Sequence, residues 1–169
     1  MRSETQDLSY SQDLLNNIIE NINGQAAKNV VREILQCFHK KGFNIKIQHI
    51  IPNKSCGYYR MLCFVKKSKE TVIIDTKKTR SLDGVGLKIR IEKKSTFEKL
   101  DEFTDNIRNQ ILNGVDCRYC GVKCERYTFS YHGKVYVKCQ YLGCNFRFSK
   151  IDESDIAGIM EIVNGELAQ

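Results

Sequence analysis

The chain has 169 residues, 41% of them hydrophobic and one of them proline. This composition argues against a disordered protein and predicts a packed core. The formal net charge of +7 is compatible with a polyanionic partner, although many basic proteins have no role in nucleic-acid binding. The N-terminus is polar, and the longest apolar run, "MLCFV" at 61–65, is far too short to cross a membrane. We therefore expect a soluble cytoplasmic protein with no membrane partner.

Residues 11–41 carry the apolar spacing of amphipathic helices. Within them, "NGQ" at 23–25 should separate two helices, because Gly24 is costly inside a helix. Gly42 follows "HKK" and suits the end of the second helix, where cations and then glycine are favoured.

Between residues 43 and 92 the apolar period changes to two, which is typical of strands. The strand segments are "FNIKIQHII" (43–51) and "VGLKIRIE" (85–92), which alternate, and "YYRMLCFV" (58–65) and "TVIID" (71–75), which are apolar runs bounded by polar turns. In the last segment, the apolar residues at odd positions should face the core, with Lys88, Arg90 and Glu92 on the other face. The pattern predicts a four-stranded antiparallel sheet with a basic outer face.

The segment "STFEKLDEFTDNIRNQILNG" (95–114) predicts one helix over the sheet, with Ser95 and Glu98 as a capping box. Its apolar stripe is Phe97, Leu100, Phe103, Ile107 and Ile111. A short strand, "NFRFS", and a last helix near 153–164 follow the cysteine-rich segment. The expected fold class is α+β, with an α+β domain at 10–113 and a zinc-hairpin module with a C-terminal helix at 114–169.

Five of the eight cysteines lie between residues 117 and 144, whereas Cys37, Cys56 and Cys63 are scattered. Both groups are odd in number, so neither forms a complete set of disulfides. With no apolar signal segment at the N-terminus, a reducing compartment and a metal site are expected.

The stretch "CRYCG" at 117–121 has the C-x2-C spacing at which two thiolates can bind one metal. Together with Cys139 and Cys144 it resembles a zinc ribbon, in which two cysteine-bearing turns hold zinc at the base of a hairpin. The resemblance covers only residues 117–148, and no family resemblance spans the whole chain. The ligand set that it implies is Cys117, Cys120, Cys139 and Cys144.

The hairpin register favours a different fourth ligand. If residues 132–133 form the turn, Arg126 lies opposite Cys139. Cys124 is then diagonal to Cys139 on the same face, roughly 7–8 Å away, and both sulfurs could bind one zinc. Cys124 and Cys144 therefore compete for the fourth position.

The hairpin segment and the strand after it interleave aromatic and basic residues. Aromatic rings stack on unpaired bases, and lysine and arginine bind phosphates, so the mixture is typical of surfaces that bind single-stranded nucleic acid. The candidate nucleic-acid-binding residues are Tyr127, Tyr131, Lys134, Tyr136, Lys138 and Arg147. The alternative is that the rings pack against the last helix or dock the hairpin onto the first domain.

The sequence has no Walker-type glycine loop, no dinucleotide-binding glycine motif and no H-E-x-x-H motif. We therefore predict a non-enzymatic zinc-binding protein that acts as a binding or regulatory module, with nucleic acid as the expected partner. One alternative is a protein-interaction or small-ligand-binding module with purely structural zinc. Another is a thiol enzyme with Cys56 as nucleophile and His39 or His49 as base. The Cys117 and Cys120 pair also has the spacing of a redox dithiol.

Overall fold

A computed structural model describes residues 4–52, 57–66, 69–76, 85–116, 127–138 and 145–168. The fold is α+β, as the sequence predicts. The strands are β1 (Glu4–Leu8), β2 (Asn44–Ile51), β3 (Tyr58–Lys66), β4 (Lys69–Asp75), β5 (Gly86–Arg90), β6 (Tyr127–Tyr131), β7 (Lys134–Lys138) and β8 (Asn145–Phe148). The helices are α1 (Gln12–Glu20), α2 (Gln25–Lys40), α3 (Lys94–Glu98), α4 (Asp105–Leu112) and α5 (Glu153–Leu167).

The main sheet is antiparallel, in the order β1-β2-β3-β4-β5-β8. The predicted strands β2 to β5 form its centre, but the prediction of four strands is wrong because the sheet of the described residues has six. β1 extends one edge, and β8 extends the other by pairing with β5. The strands β6 and β7 form a separate two-stranded hairpin.

The N-terminal helices lie where the apolar spacing predicts them. Ser11 caps α1, since its hydroxyl accepts a hydrogen bond from the Leu14 amide at 3.2 Å. Gly24 separates α1 from α2 with a φ of 87°, and Gly42 follows α2 with a φ of 69°. Both backbone angles lie in the left-handed region that glycine adopts without steric cost.

One face of the main sheet, the inner face, forms the core. The inward residues of β5, Leu87 and Ile89, are 1% and 0% exposed. Helix α2 packs on β2 and α4 packs on β8, and their buried side chains join those of the inner face in one hydrophobic cluster. Helix α5 completes this layer by packing against α2 and α4.

The expected single helix at 95–114 is wrong. Helix α3 begins at Lys94 without a side-chain cap, so Ser95 and Glu98 form no capping box there. A short 3-10 turn follows at Leu100–Glu102, and α4 begins afresh because the Thr104 hydroxyl accepts from the Ile107 amide at 3.3 Å. Nevertheless, the predicted apolar stripe is buried along its full length. The buried side chains therefore keep the spacing of one helical face, although the backbone forms two helices joined by a 3-10 turn.

Candidate nucleic-acid interface

The hairpin formed by β6 and β7 has the register that the sequence predicts. His132 and Gly133 form the turn with φ values of 47° and 75°, and Tyr131 lies opposite Lys134. At the other end of the hairpin, Tyr127 lies opposite Lys138.

The hairpin aromatics pack against the rest of the chain. Phe129 is 8% exposed, and its ring stacks on Phe97 of α3 with centroids 4.3 Å apart. Tyr136 also stacks on Phe129, with centroids 5.2 Å apart. These contacts support the alternative in which the rings dock the hairpin. They leave little of Phe129 for stacking on a base.

Near the hairpin tip, the Tyr131 hydroxyl donates to Asp101 Oδ1 at 2.6 Å, and His132 Nε2 lies 3.2 Å from Asp101 Oδ2. The hydrogen bond from Tyr131 is the main cause that lowers the pKa of Asp101, and the His132 contact adds to it. The same hydrogen bond raises the pKa of Tyr131. Asp101 therefore joins the 3-10 turn to the hairpin in its ionised form.

Lys138 is buried, with 1% of its surface exposed. Its ammonium donates to the carbonyl oxygens of Leu112 and Gly114 and to Asp116 Oδ1, each at 2.7 Å. It therefore satisfies carbonyls at the C-terminal end of α4, where a cation is favoured. The other hairpin lysine, Lys134, is exposed.

The five clustered cysteines, Cys56 and the side chain of Tyr127 lie outside the described residues. The described residues that flank the cluster lie together, because Lys138 pairs with Tyr127 on one side and bridges to Asp116 on the other. Cys117 and Cys139 each follow one of these residues directly. Among the described residues, no group of three or more His, Cys, Asp or Glu side chains could hold a metal.

Cys37 and Cys63 are the free cysteines of the described part of the chain. Cys63 is 0% exposed, and burial raises the pKa of its thiol far above the ordinary value. A buried neutral thiol is a poor nucleophile, so Cys63 acts as a packing residue.

The second face of the main sheet, the outer face, is half-buried or exposed along Lys46, Arg60, Leu62, Ile73, Lys88 and Arg147. Strand β3 presents Tyr58, Arg60, Leu62 and Phe64 there, so two rings and one cation lie on this face. Lys46 Nζ lies 5.7 Å from the centroid of the Phe64 ring, and Arg60 Cζ lies 5.9 Å from that of Tyr58. These are cation–π distances. The outer face thus combines cations with partly exposed rings.

Asp75 is bound to one of these cations. The Arg60 guanidinium donates through Nε to Asp75 Oδ1 at 2.6 Å and through an Nη to Oδ2 at 3.0 Å. This is a bidentate pair, the geometry in which arginine binds a carboxylate most strongly. Asp75 is therefore shared, because it binds Arg60 and its charge also favours the charged form of Lys88.

Lys88 lies directly opposite Arg147 on β5 and β8. Partial burial is the main cause that lowers the pKa of Lys88, and the positive charges of Arg147 and Arg60 lower it further against the opposing effect of Asp75. Like charges at opposite positions of a sheet are destabilising. The positive potential is thus concentrated at the β5–β8 side of the outer face.

The sequence predicts Lys88 and Arg147 but misses the β3 residues. Of the six candidate residues, the structure places Arg147 on the outer face and Tyr131, Tyr136, Lys134 and Lys138 on the hairpin. Tyr58, Arg60 and Phe64 are not among the six candidates, because "YYRMLCFV" predicts an apolar strand. Its period of two contains the signal, since every second residue from 58 to 64 faces outward.

Comparison with protein-family models, curated proteins and solved structures finds no match. Within the described ranges, the helices are too short or too polar to span a lipid bilayer.

Proposed function

We propose that this protein is a non-enzymatic binding module for nucleic acid, with its binding surface on the outer face of the main sheet. The observation that carries the proposal is the placement of Lys88 directly opposite Arg147 on β5 and β8. This arrangement costs stability unless an anion lies between or above the two cations. Asp75 is the carboxylate whose negative charge favours the charged form of Lys88. It also forms the bidentate salt bridge with Arg60. A phosphate would offset the remaining charge.

The aromatic groups on the same face favour nucleic acid over a simple anion. Tyr58 and Phe64 are partly exposed, each within cation–π distance of a basic side chain. Rings beside cations can contact bases while the cations contact phosphates. The net charge of +7 would also attract a polyanion over longer distances.

We also propose a structural zinc held by Cys117, Cys120 and Cys139, with either Cys124 or Cys144 as the fourth ligand. The adjacency of Asp116, Lys138 and Tyr127 supports it, since the first cysteine-bearing segment begins after Asp116 and ends before Tyr127, and the second begins after Lys138. When bound by four protein ligands, zinc contributes folding free energy and leaves no open position for substrate. Its role would be to stabilise the base of the hairpin.

The test is fluorescence anisotropy of labelled oligonucleotides against increasing salt. We expect affinity to fall steeply with salt, because binding to phosphates releases counterions. The double variant Lys88→Met/Arg147→Met should reduce the slope of log affinity against log salt by about 1.4, or about 20-fold in affinity near 0.1 M salt, if two single-strand phosphate contacts are lost.

The matched control replaces two exposed lysines at the end of α2, Lys40→Met/Lys41→Met, which removes the same charge away from the outer face. An equal loss in the control would mean that net charge alone drives binding, and the proposed surface would be wrong. No binding of single or double strands at low salt would rule out nucleic acid as the partner.

A further inference from the structure

One row of side chains crosses five strands of the outer face. The register pairs Lys46 with Leu62, Leu62 with Ile73, Ile73 with Lys88, and Lys88 with Arg147. Neighbouring strands are about 4.8 Å apart, so the row is roughly 19 Å long. Its centre is apolar and both of its ends are cationic.

Phe64 lies beside this apolar centre, two residues along β3 from Leu62. The β3–β4 register shifts on both sides of Phe64, and such irregularities bend a strand and redirect a side chain. The ring is only partly buried, and Lys46 Nζ is 5.7 Å from its centroid. A partly exposed aromatic ring thus lies next to a cation.

An apolar centre discriminates between forms of nucleic acid. A duplex stacks its bases internally and presents phosphates and sugars, which would bring no apolar surface to Leu62 and Ile73. A single strand exposes base faces, which stack on aromatic and apolar side chains. A surface for phosphates alone would be expected to be basic at its centre as well as its ends.

We infer that the outer face binds single-stranded nucleic acid in preference to duplex, with bases on Leu62, Ile73 and Phe64 and phosphates on Lys88 and Arg147. The inference rests on the function proposed above and adds the form of the ligand and the direction in which it lies. The strand runs across the β-strands, from the Lys46 side toward β8. Ribose and deoxyribose share this chemistry, so RNA and DNA are both used as probes.

The experiment compares labelled single strands, in RNA and DNA versions, with duplexes of the same length at one salt concentration. We expect single strands to bind more tightly. Phe64→Leu should weaken single-strand binding by about tenfold, the effect of losing one stacked base. It should leave both duplex binding and the salt slope unchanged, because no phosphate contact is removed.

The matched control is Tyr10→Leu, which removes a 39% exposed ring away from the outer face; it should bind like the original protein. Urea unfolding of Phe64→Leu checks that the fold is retained. Photocross-linking from 5-iodouracil strands gives a second measurement on the unaltered chain, with cross-links expected in residues 58–66.

Outcomes separate this inference from the proposed function. Salt-dependent binding in which duplex equals or exceeds single strand would overturn the inference and leave the proposed function standing. So would unaltered single-strand affinity in Phe64→Leu, or cross-links confined to the hairpin. Absence of salt-dependent binding to every probe would overturn both.

Discussion

Lys88 in β5 and Arg147 in β8 lie directly opposite each other on the outer face of the sheet. Two cations in this position repel each other, and cross-strand pairs contribute roughly 0.2–1 kcal/mol. A chain selected only for stability would gain from replacing one of them. We interpret the pair as a binding feature that lowers the free energy of unfolding.

Lys88→Met should therefore stabilise the protein while it weakens binding of nucleic acid. We expect the free energy of unfolding to rise by about 0.5 kcal/mol in urea titrations. The folded-state pKa of Lys88 is lowered below its ordinary 10.5, so the charged lysine costs stability below that folded pKa. The advantage of the variant should be full there and shrink as pH rises toward 10.5. Lower stability of Lys88→Met near neutral pH would contradict the repulsion.

Lys138→Met should have the opposite effect on stability. Its buried ammonium binds two carbonyl oxygens at the C-terminal end of α4 and the Asp116 carboxylate. The variant leaves these carbonyls without that donor, at an expected cost of about 2–3 kcal/mol in urea unfolding. Lys134→Met is the matched control, because that lysine is exposed on the same strand, and it should change stability by less than about 0.5 kcal/mol. Equal effects would mean that the Lys138 contacts contribute little.

Local patterns predicted most of the elements but few of the long-range pairings. The helices α1 and α2 and the strands β2 to β5 were predictable because burial of one face imposes a 3.6 or 2.0 period. β1, "ETQDL", carries little of that signal, since four of its five residues are exposed on the sheet edge. The pairing of β8 with β5 was not predictable either, because sequence periodicity does not identify the partner of a strand.

The candidate site was predicted only in part, because sequence periodicity does not show which residues come into contact in the fold. Aromatic residues lie near basic ones in the hairpin and again between Tyr58 and Phe64, and only tertiary packing decides which set is covered. Phe129 stacks on Phe97, and Lys138 binds the end of α4. Neither contact has a local signature. Arg147 was predicted with the hairpin residues, although its strand belongs to the main sheet.

Acid should loosen the docking of the hairpin tip. The hydrogen bond from Tyr131 is the main cause that lowers the pKa of Asp101 below 3.8. A carboxylate with a lowered folded-state pKa stabilises the fold above its unfolded pKa and loses that effect as pH falls through the folded one. We expect amide exchange in β6 and β7 to accelerate as pH falls below about 4, after correction for intrinsic rates.

The same contact can be tested near neutral and alkaline pH with Asp101→Asn. Since the Asp101 hydrogen bond is the main cause that raises the pKa of Tyr131, the phenol of the variant should lose its proton at lower pH in an NMR titration. Glu102→Gln is the control, because it removes a neighbouring exposed carboxylate. An unchanged Tyr131 titration in Asp101→Asn would show that the hydrogen bond does not hold in solution.

Elemental analysis of protein purified without chelator should find about one zinc per chain. Cys117→Ser, Cys120→Ser and Cys139→Ser should each lose it, whereas only one of Cys124→Ser and Cys144→Ser should. Cys37→Ser is the control that keeps zinc, because Cys37 lies in α2. Chelation should then expose the clustered thiols to alkylation and destabilise the hairpin.

A specific pattern of thiol reactivity would contradict the proposed zinc site. Cys63 is fully buried with a raised thiol pKa, so it serves as an internal reference that stays unreactive while the chain is folded. If the clustered thiols react freely at once while Cys63 stays protected, and no metal is found, the fold stands without zinc. The hairpin would then be held by its own contacts, chiefly the Phe129–Phe97 stack and the buried Lys138 ammonium.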